Sequence, residues 1–191
     1  MKRRILISII LSAFFLNGFG QKLPQVKMET SFGNIVCEID TVHAPVTAHN
    51  FLDHVQAGTF ENAVFYRVVR PDNQPVSKIK IEVIQGGLFD DKEIEKYPPI
   101  PHETTKQTGL KHIDGALSMA RNEPGTASTE FFICIGDMPQ LDFGGMRNTD
   151  GQGFAVFGKV IRGMDVVRKI QMQKDTSQYL VHPVKIQIQA H

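Results

Sequence analysis

Short segments in which apolar and polar residues alternate constrain this chain most. Val26–Thr30 alternates, Ser31-Phe32-Gly33-Asn34 supplies turn residues, and Ile35, Cys37 and Ile39 then share a face opposite Val36, Glu38 and Asp40. Successive side chains of a strand point to opposite faces, so this period of two predicts a hairpin of half-buried strands. Near the far end, Val184, Ile186 and Ile188 alternate in the same way with Lys185, Gln187 and Gln189. Val64–Val69, Ile79–Ile84, Ala116–Ala120, Phe131–Ile135 and Phe154–Val160 are further strand candidates. β-Branched and aromatic residues dominate several of these, and Gly, Pro, Asn and Asp collect between them.

Only two segments carry helical periodicity. In Pro45–Gln56, Ala48, Phe51, Leu52 and Val55 fall on one stripe, Pro45 suits the first turn and Gly58 the exit. Ala44 is a poor N-cap, so the start of this helix must depend on proline geometry and tertiary packing. Met164–Met172 is the second, with Val166, Val167 and Ile170 inward. Many short strands and two helices predict a mainly β domain, a barrel or sandwich with helical lids. Leu88–Ile113 is a long, charged connection, of a length that is usually functional or packed on the surface.

The 191 residues fit a single domain, and 21 basic against 20 acidic side chains lack the excess that non-specific nucleic-acid binding needs. Two cysteines are too few for a disulfide framework or a four-cysteine zinc site. Cys37 and Cys134 lie in apolar strands and read as core thiols, although an oxidising compartment would also permit a disulfide between them. The histidines show no metal-ligand spacing, and His43, His102, His112, His182 and His191 read as surface residues.

Residues 1–20 read as an export signal. Lys2, Arg3 and Arg4 precede an uncharged run from Ile5 to Gly20, with Gly18 and Gly20 as the small residues before a cleavage point. That run is shorter than the ~20 residues a bilayer span needs. The expected mature chain, residues 21–191, keeps 18 basic and 20 acidic residues and no membrane segment. Its expected location is the periplasm, with an extracellular site as the alternative.

The middle of the chain is more specific. Phe65-Tyr66-Arg67-Val68-Val69, Ile84-Gln85-Gly86-Gly87, Gly115-Ala116-Leu117-Ser118-Met119-Ala120, Phe131-Phe132-Ile133-Cys134 and Phe157-Gly158-Lys159-Val160 occur in that order. Together they resemble the cyclophilin family of peptidyl-prolyl cis-trans isomerases, and the likeness runs from about Val26 to Ile188. Pro45-Val46-Thr47-Ala48-His49-Asn50-Phe51 resembles its first helix. The resemblance implies a closed antiparallel eight-stranded barrel with two capping helices, substrate on the outer surface, no cofactor and no metal. It implies a monomer acting on proline-containing segments of unfolded or folding proteins. The alternative is the same barrel as a non-catalytic proline-peptide binding module or chaperone.

The chemistry of such an activity fits a short residue set. Rotation about X–Pro loses amide resonance midway, at a barrier of roughly 18–20 kcal/mol, and breaks no bond. The proline nitrogen becomes basic only when the amide is twisted, so a donor aimed there stabilises the transition state selectively. By resemblance Arg67 is that donor, and Gln85 holds the substrate backbone and orients Arg67. Phe132 and Leu141 align with walls of the proline pocket, and Ala120 and Arg121 with the strip that pairs with substrate backbone. Met119 and Phe154 complete the expected substrate-binding set, Phe154 in place of a frequent histidine.

Several positions depart from the family. Seventeen residues separate Arg67 from Gln85, more than usual, with Arg70–Pro75 as the turn of the insertion. Alignment back from Gln85 puts Glu82 and Val83 where pocket apolar residues stand, and a carboxylate there would be costly. A local register shift is therefore expected, with Ile81 or Ile84 facing the proline. Gln140 replaces a frequent tryptophan, which implies weak binding of cyclosporin-like ligands, and Glu130 replaces a glutamine. The glycine-rich loop Asp142–Phe154 is long, and reads either as a flap over the pocket or as a tolerated surface insertion.

Overall fold

A computed structural model describes residues 22–191. The expected signal segment, residues 1–20, lies outside the described residues. The strands are β1 (Gln25–Thr30), β2 (Gly33–Ile39), β3 (Val64–Val69), β4 (Val83–Gly87), β5 (Ala116–Met119), β6 (Phe131–Cys134), β7 (Val156–Arg162), β8 (Asp175–Thr176), β9 (Tyr179–Lys185) and β10 (Gln187–Ala190). The helices are α1 (Pro45–Gln56), two single-turn pieces α2 (Asp91–Ile94) and α3 (Thr105–Thr108), and α4 (Met164–Gln171). Every pairing is antiparallel, in the order β10-β1-β2-β7-β5-β6-β4-β3-β9-β8.

The expectation of a closed eight-stranded barrel is corrected here. Among the described residues the ladder has ten strands, and its end strands, β10 and β8, are not hydrogen-bonded to each other. The extra strand at the C-terminus has a local cause. The alternating run around Val184–Ile188 is broken at Ile186, whose amide leaves the ladder for the Ala63 carbonyl at 2.9 Å. On one side of that break β9 pairs with β3, and on the other β10 pairs with β1 at the opposite end of the order. The Ile186 side chain is fully buried at the crossing.

Alternation sorts the apolar residues into two cores. Phe65, Ile84, Leu117, Met119, Phe131, Ile133 and Phe157 face the interior, against Phe51 of α1. Val83, Phe132, Cys134, Leu141 and Val156 form a second cluster on the outer face. Phe51 meets Phe131 edge-on at 5.4 Å and Phe157 at 5.1 Å, and such aromatic pairs add to the area they bury. Cys37 belongs to the inner core and Cys134 to the outer cluster, so both thiols are free. Burial pushes Cys37 up to about 12 and raises Cys134 as well, leaving two unreactive thiols.

α1 starts as its sequence required, on Pro45 and with no side-chain cap from Ala44. The missing acceptor comes from the long connection: Glu103 accepts from the Val46 amide at 3.2 Å and the Thr47 amide at 2.7 Å. That connection also holds α2 and α3, which lack the length for a periodic signal. The strand expected over Ile79–Ile84 starts only at Val83. Before it, buried Gln74 replaces a neighbouring strand, donating to the Ile81 carbonyl at 2.8 Å and accepting from the Ile81 amide at 3.2 Å.

Candidate functional site

β3, β4, β5 and β6 together with the loop before β7 shape an outer cavity of about 270 Å³. Arg67, Gln85, Ala120, Arg121, Phe132, Leu141 and Phe154 all line it. Met119 does not, which corrects the expectation for that residue. Ser118 on β5 and Ala120 just after it face the outer cluster, so the residue between them points inward, and Met119 is buried in the inner core. Ile81 and Val83 complete the apolar wall opposite Phe132.

Of the two residues offered by the expected register shift, the structure places one in the cavity. Ile81 lines the cavity but Ile84 sits in the inner core, and Val83 takes the remaining wall position. Glu82 stays out of the slot, on the other face of the same extended segment. Its carboxylate lies 3.4 Å from Gln171 Nε2 and its amide meets Met138 Sδ. The insertion keeps an apolar floor without burying a charge.

Arg67 and Gln85 are direct cross-strand partners on β3 and β4. Arg67 Nη1 donates to Gln85 Oε1 at 2.8 Å, and Gln85 Nε2 donates to the Tyr66 hydroxyl at 2.6 Å. Tyr66 in turn donates to Glu130 Oε2 at 2.6 Å, and Glu130 Oε1 accepts from the Leu88 amide at 2.6 Å. Burial raises the Glu130 carboxyl, with the bonds from Tyr66 and the Leu88 and Phe89 amides holding it back. A Cβ at Gly87 would stand 2.2 Å from Glu130 Oε1, and φ there is +144°, so the carboxylate needs this glycine beside it.

The other side of Arg67 is held by a residue that sequence patterning misses. Gln178 Oε1 accepts from Arg67 Nε at 3.1 Å and Nη2 at 2.6 Å. Gln178 Nε2 donates to the Asn73 carbonyl at 3.1 Å, and its amide to Asp175 Oδ2 at 3.0 Å. Asp175 also binds Arg70 and accepts from Asn73 Nδ2 at 3.1 Å. The insertion at Arg70–Pro75 therefore fastens the turn that carries Gln178. Both partners of Arg67 are neutral amides, so its charge is oriented but not neutralised. Burial lowers its pKa, with Tyr179 and Tyr66 acting against this, and a guanidinium still stays charged at neutral pH.

Replacing Gln178 by Ala is expected to lower kcat about tenfold with KM little changed, because it frees the rotamer of Arg67 and removes none of the apolar wall. Isomerisation kinetics on the variant check this, and an unchanged kcat contradicts it. Gln178→Asn should recover part of the loss if one carbonyl acceptor is what matters.

The glycine-rich loop is fastened at several points. Arg121 donates to Asp150 at 2.8 and 3.0 Å and to the Gly153 carbonyl at 2.6 and 2.9 Å, with its guanidinium 5.1 Å from the centre of the Phe154 ring. The Arg121 side chain is thus spent on the loop. Arg147 Nη1 donates to Ser77 Oγ at 2.6 Å and the Ile79 carbonyl at 2.7 Å, and Gln140 Nε2 to the Lys80 carbonyl at 2.7 Å. The loop and the Arg70–Glu82 insertion are thus bolted to each other. A Cβ at Gly153 would sit 2.5 Å from the Leu141 carbonyl, so only glycine lets the loop return this close.

Beneath the wall, His112 is buried, which corrects its reading as a surface residue. Its Nδ1 lies 2.8 Å from Asp142 Oδ1 and its Nε2 3.0 Å from Ser118 Oγ, and its ring stacks on Phe132 at 6.0 Å. A carboxylate only accepts, which assigns the ring proton to Nδ1 and makes Ser118 the donor to Nε2. Distances alone suit a nucleophilic triad, but Ser118 is fully buried and cannot reach a substrate. The group supports Phe132 and Leu141 from below.

Burial lowers the His112 pKa more than Asp142 raises it. Below the ordinary value of about 6.5, the unfolded chain binds a proton that the native chain refuses. Stability is then full above that pH and falls as pH drops through it, by at most about 1.4 kcal/mol per unit for one group. His54 and His102 shift the same way, so His112→Gln isolates the contribution. Urea midpoints at pH 7.5 and 5.5 should differ less in that variant than in the parent, and an equal difference contradicts the assignment.

Comparisons with known proteins match the chain as a whole. The family model described as "Cyclophilin type peptidyl-prolyl cis-trans isomerase/CLD" matches residues 25–190. A peptidyl-prolyl cis-trans isomerase of Acinetobacter baylyi is 35% identical over 187 residues, covering 94% of this chain and 92% of the relative. Peptidyl-prolyl cis-trans isomerase B of Escherichia coli is 36% identical over 147 residues, covering 76% of this chain and 83% of the relative. A cyclophilin type isomerase from Cryptosporidium parvum superposes with a TM-score of 0.69 at 24% identity, covering 88% of this chain and 98% of its own, a likeness of fold. That protein has also been solved in the presence of the dipeptide Ala-Pro. An Arg67–Gln85 pair beside an apolar slot, in a chain matched nearly end to end, makes this protein a member of the cyclophilin family and a peptidyl-prolyl cis-trans isomerase.

Proposed function

We propose that this isomerase works on exported proteins as they fold, with Arg67 as the catalytic group. The proline ring enters the slot between Ile81, Val83, Phe132 and Leu141. Of five guanidinium N–H groups, Arg67 spends three on Gln85 and Gln178, which leaves two for the X–Pro amide. In the planar amide the nitrogen lone pair is delocalised and a poor acceptor. As the bond twists, the nitrogen becomes pyramidal and accepts from Arg67, so the interaction strengthens toward the transition state. Gln85 keeps the guanidinium in place, and the Ala120–Asn122 edge lies beside the peptide upstream of proline. The enzyme acts as a monomer and needs no cofactor for this chemistry.

One observation carries the reading: a half-buried arginine beside an apolar slot, oriented by two amides and paired with no carboxylate among the described residues. The export assignment draws on Lys2-Arg3-Arg4 and the uncharged run that follows. Expressing the full chain in a Gram-negative host tests the location. Recovery in the periplasmic fraction with an N-terminus near Gln21 is the expected result, and cytosolic recovery with Met1 intact would contradict it. In the same host, refolding of a proline-limited periplasmic protein should slow when Arg67 is replaced by Ala.

A further inference from the structure

The cavity wall holds three arginines, Arg67, Arg121 and Arg147, and no carboxylate. Arg121 is neutralised by Asp150. Arg67 and Arg147 form no salt bridge among the described residues, and no Asp or Glu faces the slot. Arg147 is half-buried, and burial followed by the nearby charge of Arg67 lowers its pKa. Its Nη1 is fixed by Ser77 and Ile79, while Nε and Nη2 have no hydrogen-bond partner among the described residues. Two segments, residues 70–82 and the 142–154 loop, meet at this side chain. The arrangement presents a preset cation with two unused donor nitrogens at the rim of the slot.

The placing of the X–Pro amide at Arg67 and Gln85 says which part of a substrate meets it. Arg67 and Gln85 hold the amide on the N-terminal side of proline. Upstream residues therefore leave past Gln85 and Ala120, toward the adjoining cavity of about 380 Å³ that also contains Tyr66 and Asn122. Downstream residues leave the other way along the same segment, past Val83 and Ile81, toward Ile79 and Arg147. We propose that Arg147 is a specificity residue that selects proline segments with an acidic side chain just after the proline. A carboxylate there would accept from Nε and Nη2 in the paired geometry a guanidinium offers.

This inference rests on the reading that Arg67 and Gln85 hold the X–Pro amide, and the test separates the two. Peptides with Glu, Gln or Lys after proline, and a matched set with the same residues before it, are measured for kcat/KM by exchange NMR and for Kd by shift titration. The expected result is a preference for Glu over Gln after proline of about fivefold to tenfold at low salt, with Lys weakest. It should shrink in about 1 M salt, where the Debye length is ~3 Å. In Arg147→Gln the Glu:Gln ratio should fall to about one, and Arg147→Lys should keep part of it. A ratio of one in the parent protein, a ratio unchanged in Arg147→Gln, or a preference that follows the residue before proline would overturn the proposal. A Kd preference without turnover would support it and sink the role given to Arg67 instead.

Discussion

Arg67→Ala should lower kcat/KM by about 10²–10³, equivalent to about 2.7–4 kcal/mol of transition-state stabilisation. The loss should appear mainly in kcat, because the proline slot is built by Ile81, Val83, Phe132 and Leu141 and stays intact. Thermal stability should change little. Arg67 contacts Gln85 and Gln178, both half-buried at the cavity, and water entering the vacated space can satisfy them. Arg67→Lys should restore only a small part, since one ammonium cannot meet both glutamines and still face the amide. Kinetics and a thermal melt on the same samples check this. A parent-like kcat in the Ala variant would remove Arg67 from the mechanism.

Phe132→Ala should fail in a different way. The ring is 5% exposed, meets Phe154 edge-on at 5.3 Å and stacks on His112, in a cluster with Val83, Leu141 and Val156. Truncating a buried Phe costs about 3–5 kcal/mol, which at this chain length lowers Tm by roughly 6–20 °C. The slot also loses its largest apolar face, so KM should rise by about tenfold, from about 1–2 kcal/mol of lost burial. Phe132→Leu should recover much of the stability and less of the binding, since it refills volume without the flat face. Comparable losses of kcat in the Arg67 and Phe132 variants with KM unchanged in both would contradict the division of labour described above.

Much of the site could be read from local patterns, because strand alternation fixes which side chains share a face. Arg67 beside Gln85, and Phe132 with Leu141, followed from residue order and the resemblance it carries. α1 has the bounds its apolar stripe indicates. Met119 shows the same rule from the other side: it lies between outward Ser118 and Ala120, so alternation should have excluded it from the pocket. What stayed hidden depends on contacts distant in sequence. Gln178 reaches Arg67 from 111 residues away, and Glu103 caps α1 from 56 residues away. His112 carries no periodic signal, and only the folding of the 88–113 connection over the outer cluster buries it. The break at Ile186 depends on the Ala63 carbonyl, which no property of the alternating C-terminal run announces.

The 70–82 segment and the 142–154 loop share one structural logic. Neither is a loose surface insertion. The first braces Gln178 through Asn73 and Asp175, and the second is clamped by Arg121 and Arg147. Gln140 takes part in that clamp through the Lys80 carbonyl. These contacts preset the donors around the slot before any substrate arrives, which is the condition for electrostatic catalysis.

The most direct test of the central claim is exchange NMR on an Ala-Pro tetrapeptide with a catalytic amount of the purified full chain. Free peptide interconverts over tens to hundreds of seconds. The account predicts cis–trans exchange cross-peaks at mixing times below one second, on the order of 10² or more faster than free peptide. Exchange no faster than in free peptide, with binding shifts present, would contradict it.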